Sequence, residues 1–352
     1  MTDLKYVAFD VHKSTTSIAV LNLKGELMTQ AVIKTDASAI RDFLRGLSGQ
    51  VHLTFEEGCN AQWLYEMTRA LVSNLVVCNA RHSNSNGNKS DKLDAIRLAQ
   101  LLRAGLLKAV YHGGNSTQPL KQLVHCYDCL TEDTTRVMNR LKALFRSRAV
   151  ACSGREVYYS RSRDEWVSKI KEEGLRLRAE FVYQQLDHLR PLRREAKKAM
   201  LGEARKHSAF KRLCGVPGLG PVRVAQVIAA LGSADRFLGR RQFRAYCGLS
   251  VVTRSSSDYE MDAALLRKRR GAAQTRGLTR RYSRRLKRVF KSAAVEAMKD
   301  EAVKRIYTSM TEKGVRAEMA RLTIARKLAA VTLSVWKSGE EYEESKLTKR
   351  AA

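Results

Sequence analysis

The chain has 352 residues, with 65 Lys and Arg against 35 Asp and Glu, a formal net charge of +30. Hydrophobic residues make up 44% and Pro numbers only 4, a composition that fits two or three folded, helix-rich domains rather than disorder. A charge of this size calls for a polyanionic partner, DNA or RNA above all, and all but excludes a metabolic enzyme for small neutral substrates.

Met1-Thr-Asp-Leu-Lys5 carries no signal-peptide pattern, and no apolar run approaches the roughly 18 residues needed to cross a bilayer. No membrane partner is therefore expected. The 7 cysteines, scattered from Cys59 to Cys247, form no disulfide framework and point to a reducing, cytoplasmic setting. Cys126 and Cys129 have metal-knuckle spacing beside His125, but no second pair matches it, so two cysteines on a helix face are the better reading.

In chain order, Tyr6–Asp10 reads as a short apolar strand ending on a carboxylate, followed by strands Thr16–Leu21 and Leu27–Ile33 across tight turns. These predict an antiparallel meander. A helix over Ala37–Leu47, a strand over Val51–Phe55, a helix over Ala61–Leu71 and a buried strand over Leu75–Cys78 follow. Three antiparallel strands and then alternating helix and strand predict a mixed sheet covered by helices, the ribonuclease-H-like order. Asp91–Leu102 then reads as an amphipathic helix capped by Ser90.

The chemistry lies at the element ends. Asp10 closes the central strand, Glu56 closes the strand expected beside it, and Asp91 and Asp94 share one face of a first helical turn. Each acid alone has an ordinary explanation as a turn residue or a partner of the helix dipole. Four together would repel one another unless cations sat between them, and clustered carboxylates are what Mg²⁺ or Mn²⁺ sites need. Two such ions can clamp the attacking and leaving oxygens of a phosphodiester. Glu57 competes with Glu56, since strand alternation sends the two to opposite faces. His12 and Lys13 are placed either to touch a phosphate or to be solvated.

From Leu120 the apolar positions Leu123, Tyr127, Leu130, Val137, Leu141 and Leu144 follow in steps of three and four, interrupted by Thr134. A second seam runs Leu175, Ala179, Val182, Leu186, Leu189, Arg193, Ala196, Met200, with a kink expected near Pro191. These are coiled-coil seams, which pair either as a hairpin or with another protomer, and dimerisation is the favoured reading. Between them, Ser153-Gly154 and Ser160–Arg163 read as a polar turn.

Further on, Val216-Pro-Gly218-Leu-Gly220-Pro-Val222 precedes a helix over Val224–Leu231 and resembles a helix-hairpin-helix turn, in which glycines at Gly218 and Gly220 let backbone amides approach phosphates. A serine triplet, Ser255–Ser257, lies downstream. From Arg267 to Lys291, 25 residues hold twelve Lys or Arg and no acid. Arg267, Lys268, Arg269, Arg270, Arg276, Arg280, Arg281, Arg284, Arg285, Lys287 and Arg288 are the candidate phosphate contacts. Arg280, Arg284, Lys287, Arg288 and Lys291 are expected along one helix face, where binding would depend strongly on salt. An amphipathic helical stretch over 313–337 is expected to close that core.

Phe9-Asp10-Val-His-Lys13, Phe55-Glu56-Glu57-Gly58, Asn88-Lys-Ser-Asp91-Lys-Leu-Asp94-Ala95, Val216–Pro221 and Tyr246-Cys-Gly248-Leu249 with Ser255-Ser256 occur in one order across almost the whole chain. Together they resemble the DEDD transposases of bacterial insertion sequences, the insertion-sequence-one-hundred-ten family. The resemblance implies an α/β plus all-α protein: a RuvC-like domain over 1–115, coiled-coil helices over 116–205, and a mostly helical transposase domain over 206–345. It implies a site-specific recombinase guided by a structured bridge RNA that pairs with donor and target DNA. By motif, Asp10, Glu56, Asp91 and Asp94 take the metal-binding places, and Ser256 takes that of the nucleophilic serine, with Ser255 as its competitor. It also implies a homo-oligomer, dimeric or tetrameric on DNA, in a bacterial cytoplasm at the nucleoid. Two departures are Glu56-Glu57-Gly58-Cys59 where the family has Glu-Ala-Thr-Gly, and Ser257 where it has glycine. The competing functions are a RuvC-like metal-dependent nuclease and a non-catalytic nucleic-acid-binding descendant.

Overall fold

The computed structural model describes residues 3–79, 91–112, 117–254, 259–262, 265–268 and 274–348, and the chain divides into two compact units, Met1–Asn115 and Ser116–Ala352. In the first unit, β1 (Leu4–Val11) pairs antiparallel with β2 (Thr15–Leu21), which pairs antiparallel with β3 (Leu27–Lys34). On its other side β1 pairs parallel with β4 (Gln50–Glu56), and β5 (Asn74–Cys78) continues the sheet in parallel, giving the order β3-β2-β1-β4-β5. This is the mixed sheet expected from the strand pattern.

Pleat alternation divides the strands between two cores. Val7, Phe9, Ile18, Val20, Leu53 and Phe55 pack with Ile40 and Leu44 of α1 (Ala37–Arg45) and with Ala61 and Leu64 of α2 (Ala61–Thr68). Ala8, Ala19, Leu21 and Cys78 face the other way, against Ala95, Leu98 and Ala99 of α3 (Asp91–Arg103). The Asp36 side chain caps α1 by accepting from the amides of Ser38 and Ala39 at 3.0 and 2.9 Å.

The second unit opens with α4 (Gln118–Arg146) and α6 (Glu173–Arg205), which pack against each other within one chain, joined through α5 (Arg163–Ser168). The observed pairing is thus a hairpin. Its connection is more than a polar turn: Val157, Tyr158, Trp166 and Ile170 close an apolar core with Leu141, Phe145, Ala179 and Leu186. The Tyr183 hydroxyl donates to the Val157 carbonyl at 2.8 Å, and Phe145 meets Trp166 edge-on. Helix α6 runs through Pro191 without ending, although that residue offers no N–H to the preceding turn. Cys126 and Cys129 are exposed on α4.

Helices α7 (Ala209–Cys214), α8 (Pro221–Leu231), α9 (Arg240–Tyr246), α10 (Arg284–Glu296), α11 (Glu301–Glu312), α12 (Ala317–Ser338) and α13 (Ser345–Thr348) follow. They share a core built on Val224, Ile228, Phe243, Phe290, Leu328 and Val331, which Leu120, Val124, Met200 and Ala204 of the hairpin join. Among the described residues this unit also has strands absent from the expected helical pattern. β6 (Val251–Arg254) pairs antiparallel with β9 (Gln274–Leu278), and β7 (Tyr259–Asp262) with β8 (Leu265–Lys268). Part of the basic run is therefore strand: β8 and β9 take its start, and the helical part begins only at Arg284, with Ser283 as its cap. Arg280 is correspondingly outside the helix on which its spacing placed it.

Gly218 has φ +74, and a β-carbon there would run into the backbone carbonyl of Ala293 on α10. That approach locks the turn before α8 onto α10. Gly218→Ala combines a clash with a backbone strain and is expected to cost about 2–4 kcal/mol, read as a lowered midpoint in denaturant unfolding followed by helical circular dichroism. An unchanged midpoint would show that the turn does not depend on this contact.

Candidate metal centre and basic surface

The parallel pairing of β1 and β4 aligns Phe9 with Phe55, so Asp10 and Glu56 leave adjacent strands at the same edge of the sheet. Helix α3 packs on β1, β2 and β4, carrying Asp91 and Asp94 in its first turn. Asp10 feels the charges of Asp91 and Asp94, and Glu56 those of Asp10 and Asp94, whereas only Asp10 and Asp91 of the four fall within the tightest ligand group. Burial, with the charges of Asp91 and Asp94 adding to it, holds the Asp10 carboxyl above its ordinary range, against the opposing pull of His12. Burial followed by the charges of Asp10 and Asp94 does the same to Glu56.

His12 sits over this group. Its Nε2 lies 3.1 Å from Asp10 Oδ2 and 3.5 Å from Asp91 Oδ2. Asp10, His12 and Asp91 offer ligand atoms all within 4.8 Å of one another. The carboxylate oxygens suit a hard divalent cation, and mutual repulsion among the acids gives such a cation its electrostatic advantage, while the His12 imidazole is a softer donor than such an ion prefers. The residues fit Mg²⁺ or Mn²⁺. Lys13 is exposed beside them.

Glu57 points elsewhere. Its Oε2 lies 2.6 Å from Nε2 of His112, whose Nδ1 lies 3.1 Å from Gln62 Oε1. Adjacent glutamates thus face different partners, Glu56 the acids and Glu57 a histidine. The sequence signal for His112 was nil, because an isolated histidine has no periodicity or spacing to read. Gly87–Ser90 lie outside the described residues, as do Ser255, Ser256 and Ser257.

In the second unit the candidate phosphate contacts separate into two kinds. Arg285 Nε donates to Asp128 Oδ2 at 2.9 Å, and Arg288 reaches Asp128 at 3.5 Å and Glu132 at 3.3 Å. Asp128 is a buried residue of α4 whose other oxygen accepts from Gln226 of α8 at 2.7 Å. Arg285 and, in part, Arg288 therefore tie helices together, because a buried carboxylate draws their charge. Arg280, Arg281 and Arg284 are exposed, and Lys287 lies 4.1 Å over the Tyr282 ring. Arg284, Lys287 and Lys291 share a shallow surface on α10 with Tyr282. Arg267 and Lys268 lie on β8 and Arg276 on β9, while Arg269 and Arg270 are outside the described residues. Gly218 is taken up by packing on α10, whereas a β-carbon at Gly220, which precedes α8, would meet nothing.

Two family models match this chain. One, a DEDD model described as "Transposase", covers residues 7–148, the span that holds all four acids. The other, described as "Transposase IS116/IS110/IS902 family", covers residues 210–308, including the glycine turn, the serines and the basic run. The chain belongs to the IS110 family of transposases. It is also similar to a protein of Leptospira borgpetersenii described as "Transposase for insertion sequence element IS1533", at 26% identity over 178 residues, 47% of this chain and 50% of that relative. The match thus spans about half the length of the relative. Among the described residues no helix is long and apolar enough to cross a membrane.

Because Asp10 and Glu56 are held above their ordinary range, ionising them costs stability as pH rises through that range, and the cost persists at neutral pH. Asp10→Asn removes one of the repelling charges. In metal-free buffer it should raise the melting temperature by about 2–6 °C and diminish the further rise that Mg²⁺ gives the wild type. An unchanged metal-free midpoint with an undiminished Mg²⁺ response would remove Asp10 from the site.

Proposed function

We propose that this chain is the transposase of an insertion sequence, a site-specific DNA recombinase that combines a carboxylate-bound metal site with a serine nucleophile and takes its target from a bridge RNA. The observation that carries the reading is the electrostatic coupling of Asp10 to Asp91 and Asp94, and of Glu56 to Asp10 and Asp94, inside the span matched by the DEDD transposase model. The strand order, with three antiparallel strands extended by parallel β4 and β5, supports a RuvC or ribonuclease-H-like reading of residues 1–115. Residues 116–205 then serve as the coiled-coil arm and 206–345 as the transposase domain.

Asp10, Glu56, Asp91 and Asp94 would hold Mg²⁺, or Mn²⁺ in its place. Such ions polarise a scissile phosphate and stabilise the charge on its attacking and leaving oxygens. A free serine hydroxyl is a weak nucleophile, so it needs that setting. In the step we assign to Ser256, with Ser255 its competitor, the hydroxyl oxygen bonds to phosphorus as the bond to one deoxyribose oxygen breaks. The serine proton is lost and the departing sugar oxygen gains one. Attack by a sugar hydroxyl of the exchanged strand on the phosphoserine reverses both changes and frees the serine.

The net charge of +30 and the exposed cations Arg280, Arg281, Arg284 and Lys291 support donor and target DNA, and a structured RNA, as partners. Homo-oligomeric assembly on DNA, and action at the nucleoid in the bacterial cytoplasm, belong to the same reading.

The test combines purified protein, supercoiled donor and target DNA, Mg²⁺ and the RNA transcribed from the flanks of its own gene. Sequenced recombinant junctions should require the RNA and should fall at least ~100-fold in Ser256→Ala and in Asp10→Asn. Cleavage without joining, insensitive to Ser256→Ala, would identify a RuvC-like nuclease instead. On the binding side, Arg284→Ala and Lys291→Ala should each weaken DNA binding uniformly across sequences and lower the salt slope by about one. Arg285→Ala should chiefly lower thermal stability, because it takes the nearest cation away from buried Asp128.

A further inference from the structure

Between α9, α12 and α13 the second unit holds a cleft of about 300 Å³ lined by Arg240, Arg244, Arg326, Lys327 and Lys346. No acid lines it among the described residues. It shares no residue with the α10 surface that holds Arg284, Lys287 and Lys291.

The cations are held in place mainly by carbonyl oxygens rather than carboxylates. Arg326 Nε donates to the Leu249 carbonyl at 2.6 Å, and Arg244 Nε to the Arg326 carbonyl at 3.3 Å. Lys327 Nζ donates to the Leu347 carbonyl at 2.7 Å. Among the described residues only Lys346 of this group has a carboxylate, with Glu340 at 2.9 Å from its Nζ. Arg326 Nη2 is buried and has no hydrogen-bond partner among the described residues. A main-chain carbonyl orients a cation without cancelling its charge, and among the described residues none of Arg240, Arg244, Arg326 and Lys327 has a carboxylate in salt-bridge reach, while Arg244 feels the charges of Arg240 and Arg326 and Lys327 that of Arg244.

Such a cluster works against folding. Burial, and then the charges of Arg240 and Arg326, lowers the proton affinity of Arg244; burial and the charge of Arg244 do the same to Lys327. Arginine does not escape by losing its proton. Several fixed positive charges in one concave site are relieved by an anion that accepts several hydrogen bonds at once, and a tetrahedral phosphate oxyanion meets that description. Thr323 and Ser334 also line the cleft.

We infer that the cleft between α9 and α12 seats a backbone phosphate of bound nucleic acid, gripped by Arg240, Arg244, Arg326 and Lys327. The site is separate from the α10 surface, so it anchors the strand at a second point on this unit. This assignment rests on the reading of the chain as a nucleic-acid enzyme. It adds a contact that the basic run from Arg267 to Lys291 does not contain.

The test uses the full chain with Arg240→Gln and with Arg240→Gln/Lys327→Gln. Arg240 is exposed, and glutamine at 327 keeps an N–H donor on the side that bonds Leu347, so both variants are expected to keep the fold. Melting temperatures in phosphate-free buffer check that, and removing like charges should hold or raise them. Binding to a DNA duplex and to an RNA hairpin is then measured across salt concentrations. For the double variant we expect roughly tenfold weaker binding and a salt slope smaller by about one, for DNA, RNA or both; which one responds identifies the strand. Inorganic phosphate should raise the wild-type melting temperature more than that of the double variant. Wild-type binding with no change of affinity or slope in either variant would overturn the inference while leaving the enzyme reading intact. A response to inorganic phosphate with no effect on DNA or RNA would overturn it as well, leaving a free-anion site. Wild type that binds neither nucleic acid would defeat the enzyme reading itself.

Discussion

The parallel pairing of β1 with β4 governs the first unit. It sets Asp10 and Glu56 side by side at one edge of the sheet, and it can do so only because both strands are buried on their two faces. The small residues Ala95 and Ala99 of α3 pack against Ala8 and Ala19. Their size lets that helix lie close to the sheet, which brings Asp91 and Asp94 to the same place. The apolar cores on either side thus hold together four groups that repel each other. Hydrophobic packing offsets an electrostatic cost concentrated at the one point where chemistry is wanted.

Charge also organises the second unit, in three distinct ways. Asp128 is buried and satisfied by Gln226, Arg285 and Arg288, so it locks α4, α8 and α10 to one another. Arg284 and Lys291 stay exposed on α10, available to a long polyanion. In the cleft of α9 and α12, cations face one another with carbonyls as their main-chain anchors. A run of like charge in sequence is therefore not one surface. Each cation's role depends on which acid, if any, the packing places against it.

Particular residues show where the sequence could be read. The strands of the first unit were legible because alternation of apolar residues is a local signal, and the acids drew notice because Asp10 and Glu56 stand at the ends of strands and Asp91 and Asp94 in the first turn of a helix. The α4 and α6 seams were legible for the same reason, although Asp128 hid in α4, and Gln226 in α8, as ordinary polar positions. Strands β6 to β9 were not legible: they are short, and β8 and β9 carry arginine or lysine, so little apolar alternation marks them. The apolar closure of the hairpin by Val157 and Trp166 was missed because its residues are scattered through a polar stretch.

By itself the sequence determined the net charge, the elements of the sheet and the two long helices, and the acids that could bind a cation. These follow from composition and from periods of two and three to four residues, which neighbouring positions carry. Tertiary structure decided which of Glu56 and Glu57 joins the acids, that Gly218 serves a close approach to α10, and that Arg285 answers Asp128. Those outcomes turn on contacts between residues far apart in the chain, 98 positions for Gln226 with Asp128 and 157 for Arg285 with Asp128. No local pattern encodes them, because the partner that captures a charge or fills the space beside a glycine is set only when the helices pack.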